Sequence, residues 1–277
     1  MSAAAQESAT TRVVLIGLTM AVLGVLLLLP LVIVLVEAFA KGVPMALRTL
    51  DDPESLTSIR LTLVVAVISV PLNTVFGVSA AWCISRFRFP GRGLLTTLID
   101  LPFSVSPVIS GLVWVLLFGI NGLLGRVLER ADIQIIFALP GLILATVFVT
   151  FPFVARTLIP LMQEQDASEE EAAITLGATG WQTFSRVTLP GIRWGLVYGV
   201  LLCNARAMGE FGAVSVVSGH IRGQTMTMPL QVEALFNDYD WVGAFTMAGL
   251  LALLALLTLA VKAALEWRIG RRRGGLH

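Results

Sequence analysis

Lysine is nearly absent from this chain. Its 277 residues include two, Lys41 and Lys262, and neither follows a glycine. The phosphate-binding pattern G-x-x-x-x-G-K-[ST] is therefore missing, which excludes ATP hydrolysis by that route within this chain. Histidine and cysteine are as scarce. His220 and His277 are too few and too scattered for a metal site. Cys83 and Cys203 both lie inside apolar runs, where a thiol acts as a small hydrophobe, and neither a disulfide framework nor a metal-ligand spacing is present. Charge is also thin. Charged residues make up 13% of the chain, against about 25% in a soluble domain, and a net charge of +1 offers nothing to nucleic acid.

Hydrophobic residues, 56% of the chain, take up that space. They gather in long uncharged runs, the mark of an all-α polytopic membrane protein. Six stretches reach the roughly 20 residues needed to cross a hydrocarbon core: 13–36, 61–85, 101–120, 133–155, 194–217 and 241–261. The third carries Pro102 and Pro107; the fifth is interrupted by Arg206 and Glu210. Ala38-Phe39-Ala40 looks like a signal-cleavage site. The run before it exceeds the 7–15 residues of a signal h-region and has Arg12 alone in front, so it reads as a retained first span. Six spans place both termini on one side. Arg12, Arg86, Arg88, Arg92, Arg156, Arg186, Arg193, Lys262, Arg268 and Arg271 to Arg273 share that side, twelve of nineteen basic residues. The positive-inside rule makes it cytoplasmic. The expected organisation is an N-terminal tail, first span and outer loop (1–60), a core of five spans with a cytoplasmic loop at 160–192 (61–265), and a basic cytoplasmic tail (266–277).

The loop between the fourth and fifth spans is the most acidic segment, with Asp166, Glu169, Glu170 and Glu171. Ser168 and Glu171 fit a capping box, and the acids suit the positive end of a helix dipole. Gly177 suits a left-handed C-terminal turn. Thr179 can cap a second short helix, 181–188, that stops before Pro190. An ordered, charged helix–turn–helix between two spans presents itself to a soluble partner. The alternative, a helix lying on lipid headgroups, is disfavoured because such helices are usually basic.

Glu171-Ala172-Ala173-x3-Gly177-x9-Val187-x-Leu189-Pro190 resembles the EAA loop of ABC importer permeases, with Val187 in place of the usual isoleucine. The resemblance implies a coupling helix seated on a separate ATPase subunit, with Glu170, Glu171, Ala172, Ala173, Gly177, Leu189 and Pro190 as the coupling set. ATP and magnesium would sit on the ATPase, with no cofactor on this chain.

The fifth span holds Asn204, Arg206, Gly209, Glu210 and Gly212. A charge at the centre of a membrane helix costs about 2.5–3.5 kcal/mol on insertion scales. Arg206 and Glu210 are i,i+4 and share a face. They can be a self-neutralising ion pair that orders packing, or a pathway element, since a guanidinium fork complements an oxyanion. Gly209 and Gly212 allow a bend or a close helix approach. The stretch 204–223 is similar to sulfate/thiosulfate ABC permeases, and within them most to the W-type subunit; the shorter Arg-Ala-x-Gly-Glu-Phe-Gly also resembles molybdate permeases. This resemblance implies a type I importer permease of the methionine-permease-like architecture. It also implies a heterodimer with a homologous T-type permease, two ATPase subunits and a periplasmic sulfate/thiosulfate-binding protein, all in the bacterial inner membrane. The outer loop 219–240, with a short helix at 229–236, would then offer Arg222, Glu233, Asp238 and Asp240 to the binding protein, or be merely solvated. A molybdate or tungstate permease is the competing substrate class. An intramembrane enzyme would need a catalytic constellation that these spans lack, and an ATP-independent carrier would leave the docking loop unexplained.

Overall fold

Apolar runs too long for any soluble core become helices here, because in lipid each backbone polar group must be satisfied within its own segment. The computed structural model describes residues 9–165 and 167–273, so Asp166 and the last four residues of the expected basic tail lie outside the described residues. In chain order the helices are α1 (Ala9–Ala38), α2 (Val43–Asp51), α3 (Pro53–Arg86), α4 (Arg92–Ser104), α5 (Pro107–Phe118), α6 (Gly125–Arg130), α7 (Leu139–Glu164), α8 (Ser168–Thr175), α9 (Gly180–Thr183), α10 (Leu189–Met208), α11 (Gly212–Ser218), α12 (Met228–Asn237) and α13 (Trp241–Arg273). A π turn, Phe184–Thr188, joins α9 to α10.

Four helices are long and apolar enough to cross a membrane alone, and two bent pairs bring the number to six. The first, second and sixth expected spans fall inside α1, α3 and α13. The third is not one straight helix: α4 and α5 meet at 108°. Pro107 opens α5, and Ser106 before it is extended at φ −57°, ψ 134°, as a residue preceding proline prefers. The fourth span starts at Leu139, not at 133, and runs on to Glu164. The fifth is also bent, by 49°, between α10 and α11. Pro30, Pro71, Pro152 and Pro160 stay inside long helices, which membrane helices tolerate when neighbours satisfy the freed carbonyls.

The core is the bundle of α3, α7 and α10. Small residues let these backbones approach, as membrane packing favours. Ala81, Ala155 and Cys203 are fully buried, and a Cβ on Gly77 would lie 2.7 Å from that of Val154. One end of the core gathers Val78, Leu158, Met162 and Ile192. The other gathers Leu142, Val214, Met226 and Leu230. Around it, α5 packs on α11, α4 on α7, and α12 and α1 on α13. Exposed apolar side chains such as Leu27, Val67 and Val75 form an outer surface suited to lipid, not water.

Candidate functional site

At the end of the bundle where α3 and α7 finish, the chain makes the expected helix–turn–helix, with different chemistry at its start. Ala167, not Ser168, holds the N-cap position of α8, and no side-chain capping bond forms there. Ser168 lies inside the first turn with Glu169, Glu170 and Glu171, whose charges face the positive helix end. The C-terminus closes as Gly177 requires. Its φ is +88°, the Ala178 N–H donates to Ala173 O at 3.0 Å and the Gly177 N–H to Ile174 O at 2.9 Å. These are the two bonds of a Schellman motif. Thr179 and Gln182 then form a reciprocal capping box.

The second helix does not stop before Pro190. It continues through the π turn, where the Leu189 N–H donates to Phe184 O, and Pro190 sits in the first turn of α10. An i→i−5 turn just ahead of a residue without an N–H lets helix run into helix without an orphaned donor.

The coupling set faces two ways. Glu171, Ala172, Gly177 and Pro190 are exposed; Ala173 and Leu189 are half-buried. Ile174, Leu176 and Trp181 are 59%, 88% and 75% exposed, large apolar groups standing on a polar loop. Glu170 turns inward. Its Oε2 lies 3.0 Å from Arg86 Nε, and its Oε1 accepts from Thr188 Oγ1 at 2.7 Å. Arg86 Nη1 also donates to Met162 O at 2.9 Å and Gln165 O at 3.1 Å. Gln165 Nε2 donates to Gly191 O at 3.3 Å. The Phe184 ring lies 4.9 Å from Trp82 on α3 and 5.7 Å from exposed Trp181. Sequence reasoning registered Arg86 as one more basic residue of its side and missed Thr188 and Gln165. The available signal was Thr188 between Val187 and Leu189 of the motif.

In the fifth span, Arg206 Nη1 and Glu210 Oε2 are 2.6 Å apart. The Glu210 side chain is 1% exposed, and that of Arg206 is 33% exposed. Glu210 Oε1 also accepts from the Ala213 N–H at 2.9 Å. The carboxylate thus ties the end of α10 to the start of α11 across the bend, while the guanidinium keeps an open side. Asn204 Nδ2 reaches Met208 Sδ at 3.5 Å. Gly209 ends α10. A Cβ on Gly212 would come within 3.0 Å of Pro107 Cβ, so the close approach expected there is made to α5.

A further ion pair joins α4 and α7. Arg156 Nε and Asp100 Oδ1 are 2.5 Å apart, on α7 and α4. Each falls at the edge of an expected span, 101–120 and 133–155; α7 extends past Arg156 and α4 encloses Asp100. Arg156 lies over the Phe103 ring at 5.8 Å. It is eight residues from the end of α7, about 12 Å.

At the opposite end, Arg222 pairs with Asp238 and lies 3.6 Å from Glu54. The Asp238 hydrogen bond first, then the charges of Asp238 and Glu54, raise the Arg222 guanidinium above its ordinary value. His220 Nε2 is 3.3 Å from Glu233. Asp240 caps α13 through the Gly243 N–H. The short helix expected at 229–236 is α12; Met228, Leu230 and Gln231 are buried, so one face belongs to the core. A cavity of 610 Å³ between α5, α6 and the approach to α7, lined by Phe118, Asn121, Leu128, Gln134 and Phe137 among others, touches none of these ion pairs.

Residues 73–271 match the family model for the binding-protein-dependent transport system inner membrane component. The chain is similar to the sulfate transport system permease protein CysW of Escherichia coli K12, 56% identical over 92% of this chain and 88% of that one. It is also similar to the CysT sulfate transport system permease protein of that organism, 35% identical over 93% of each. Among solved structures, one chain of a bacterial alginate ABC transporter in complex with an alginate pentasaccharide-bound periplasmic protein superposes with a TM-score of 0.75, at 17% identity, over 93% of this chain and 95% of that one. That likeness is one of fold.

Proposed function

The chain belongs to the binding-protein-dependent transport system inner membrane component family, and from that premise we propose that it is the membrane-spanning permease subunit of an ATP-driven importer of sulfate or thiosulfate. It is a multi-pass membrane protein and a transport component; the assembled complex hydrolyses ATP through separate subunits, which hold the nucleotide and magnesium. The observation that carries the substrate is the 56% identity to a sulfate permease over nine-tenths of the chain. The molybdate alternative is not favoured.

The helix α8 end faces the cytoplasm in this reading, with both termini on the same side. Glu171 and the exposed Ile174, Leu176 and Trp181 form the seat for one of two ATPase subunits: an apolar knob beside a carboxylate gives affinity and register together. The second permease is a homologous T-type chain, consistent with the 35% identity to CysT. Arg206, one-third open beside its buried partner, offers guanidinium donors to a passing oxyanion, and the paired Glu210 keeps that attraction weak enough for release. The face carrying Arg222, Glu233 and Asp238 receives the periplasmic binding protein. Closure of the ATPase dimer draws the α8 seats together and opens the pathway outward; hydrolysis resets it.

The test is uptake of radiolabelled sulfate by cells that lack the chain and receive it back on a plasmid. Restored uptake that molybdate does not compete away is expected. Restored molybdate uptake without sulfate uptake would overturn the substrate.

A further inference from the structure

For displacement of α8 to act on the bundle, side chains must tie α8 to the core helices as well as the chain itself does. The described residues make such a tie around Arg86. Arg86 stands at the last residue of α3, 13% exposed in its side chain, and Glu170 opposite is 14% exposed. Through Nη1 the guanidinium holds the terminal carbonyls of α7, and through Nε it meets the Glu170 carboxylate of α8. The second oxygen of that carboxylate accepts from Thr188, in the π turn that begins α10. Gln165, whose carbonyl Arg86 binds, reaches on to Gly191 of α10. Four elements, of which α3 is far in sequence from the other three, therefore meet at one charged joint, and α3, α7 and α10 form the core.

We propose that Arg86, Glu170 and Thr188 are positioning residues of the transport cycle, a joint that turns displacement of α8 into movement of α3, α7 and α10. Adjacent glutamates divide the work: Glu171 meets the ATPase and Glu170 transmits. The Arg86–Glu170 contact is an ion pair in which Nε makes no hydrogen bond; the hydrogen bonds beside it, from Arg86 to the α7 carbonyls and from Thr188 to the carboxylate, involve a charged partner and are stronger than neutral ones. Thr188 sits in a π turn, whose looser ladder lets α10 pivot on its side-chain bond. The inference rests on the coupling role of α8 proposed above.

The test uses the full complex of both permeases, ATPase and binding protein in proteoliposomes. Two quantities are read: ATPase retained on the purified complex, and sulfate imported per ATP hydrolysed. Glu170→Gln and Thr188→Val, the latter preserving shape, should retain the ATPase and its hydrolysis but lower sulfate per ATP about fivefold or more. Thr188→Ser, which keeps the hydroxyl, should hold the ratio near the unaltered value. The exchange Arg86→Glu with Glu170→Arg should recover part of what either single change loses. An unchanged ratio in both Glu170→Gln and Thr188→Val would overturn the joint. So would loss of the ATPase in those variants, which would make Glu170 a prop for the docking surface. Absence of the ATPase from the unaltered complex would instead sink the coupling role itself.

Discussion

Among the described residues, two Arg–Glu pairs with a buried or nearly buried carboxylate differ in span. Arg206 and Glu210 are four residues apart on one helix face; Arg86 and Glu170 are brought together from separate helices. The local pair bridges a bend within one span, with Glu210 also binding the first turn of α11. It organises a single element and leaves its arginine partly open. The long-range pair leaves neither partner open and gathers the ends of several helices. The same chemistry thus serves a site that can meet an ion in one place and a mechanical connection in the other. Sequence separation and residual exposure distinguish them.

That contrast is broken most severely at the coupling end. Glu171→Lys or Gly177→Asp should abolish sulfate uptake while the chain still assembles in the membrane. The first reverses a charge on the docking face. The second puts a side chain at φ +88°, where a Cβ is strained. Uptake assays together with membrane-fraction blots check both.

The local pair should respond in two stages. Glu210→Ala leaves a one-third-open guanidinium without its buried carboxylate partner, a loss below the about 3–5 kcal/mol of a fully buried pair because water reaches the arginine. Less chain should accumulate in the membrane. Adding Arg206→Ala should restore the amount of chain, yet uptake should stay about tenfold low because the open guanidinium is gone. Normal uptake by this double variant would make the pair purely structural.

How much of this was legible in the sequence depends on how far a residue's partner lies along the chain. Spans α1, α3 and α13 were readable because long uncharged runs leave no other structure available. The Gly177 turn and the Thr179 cap were readable because their partners lie within five residues; the reciprocal bond from Gln182 was not read. The bend at Pro107 was not resolved, because proline can kink a membrane helix or end it, and here the packing of α5 on α11 goes with ending it. Ser168 was misassigned because α8 starts one residue earlier than the box requires: Ala167 takes the N-cap position, with no side-chain bond, and Ser168 falls inside the first turn. The motif begins at Glu171, and Glu170 was grouped with it in the coupling set; that Glu170 turns inward depends on Arg86, 84 residues away. The pairing of Asp100 with Arg156 was not legible for the same reason, the two being 56 residues apart.

Two smaller effects sharpen the contrast further. Replacing Asp100 and Arg156 together by Asn and Gln removes a pair that is 31% and 56% exposed, so uptake should fall only about two- to threefold, measured as an initial rate. Thr179→Ala removes one cap, about 1 kcal/mol of helix stability. Uptake should change by less than twofold, and hydrogen exchange at Gln182 should quicken.

The most direct measurement compares ATP-driven sulfate accumulation in proteoliposomes built with the unaltered chain and with Glu171→Lys, in the presence of the second permease, the ATPase and the binding protein. Accumulation with the unaltered chain and none with Glu171→Lys is the predicted result. Equal accumulation in both would contradict the claim that this loop couples the chain to its ATPase.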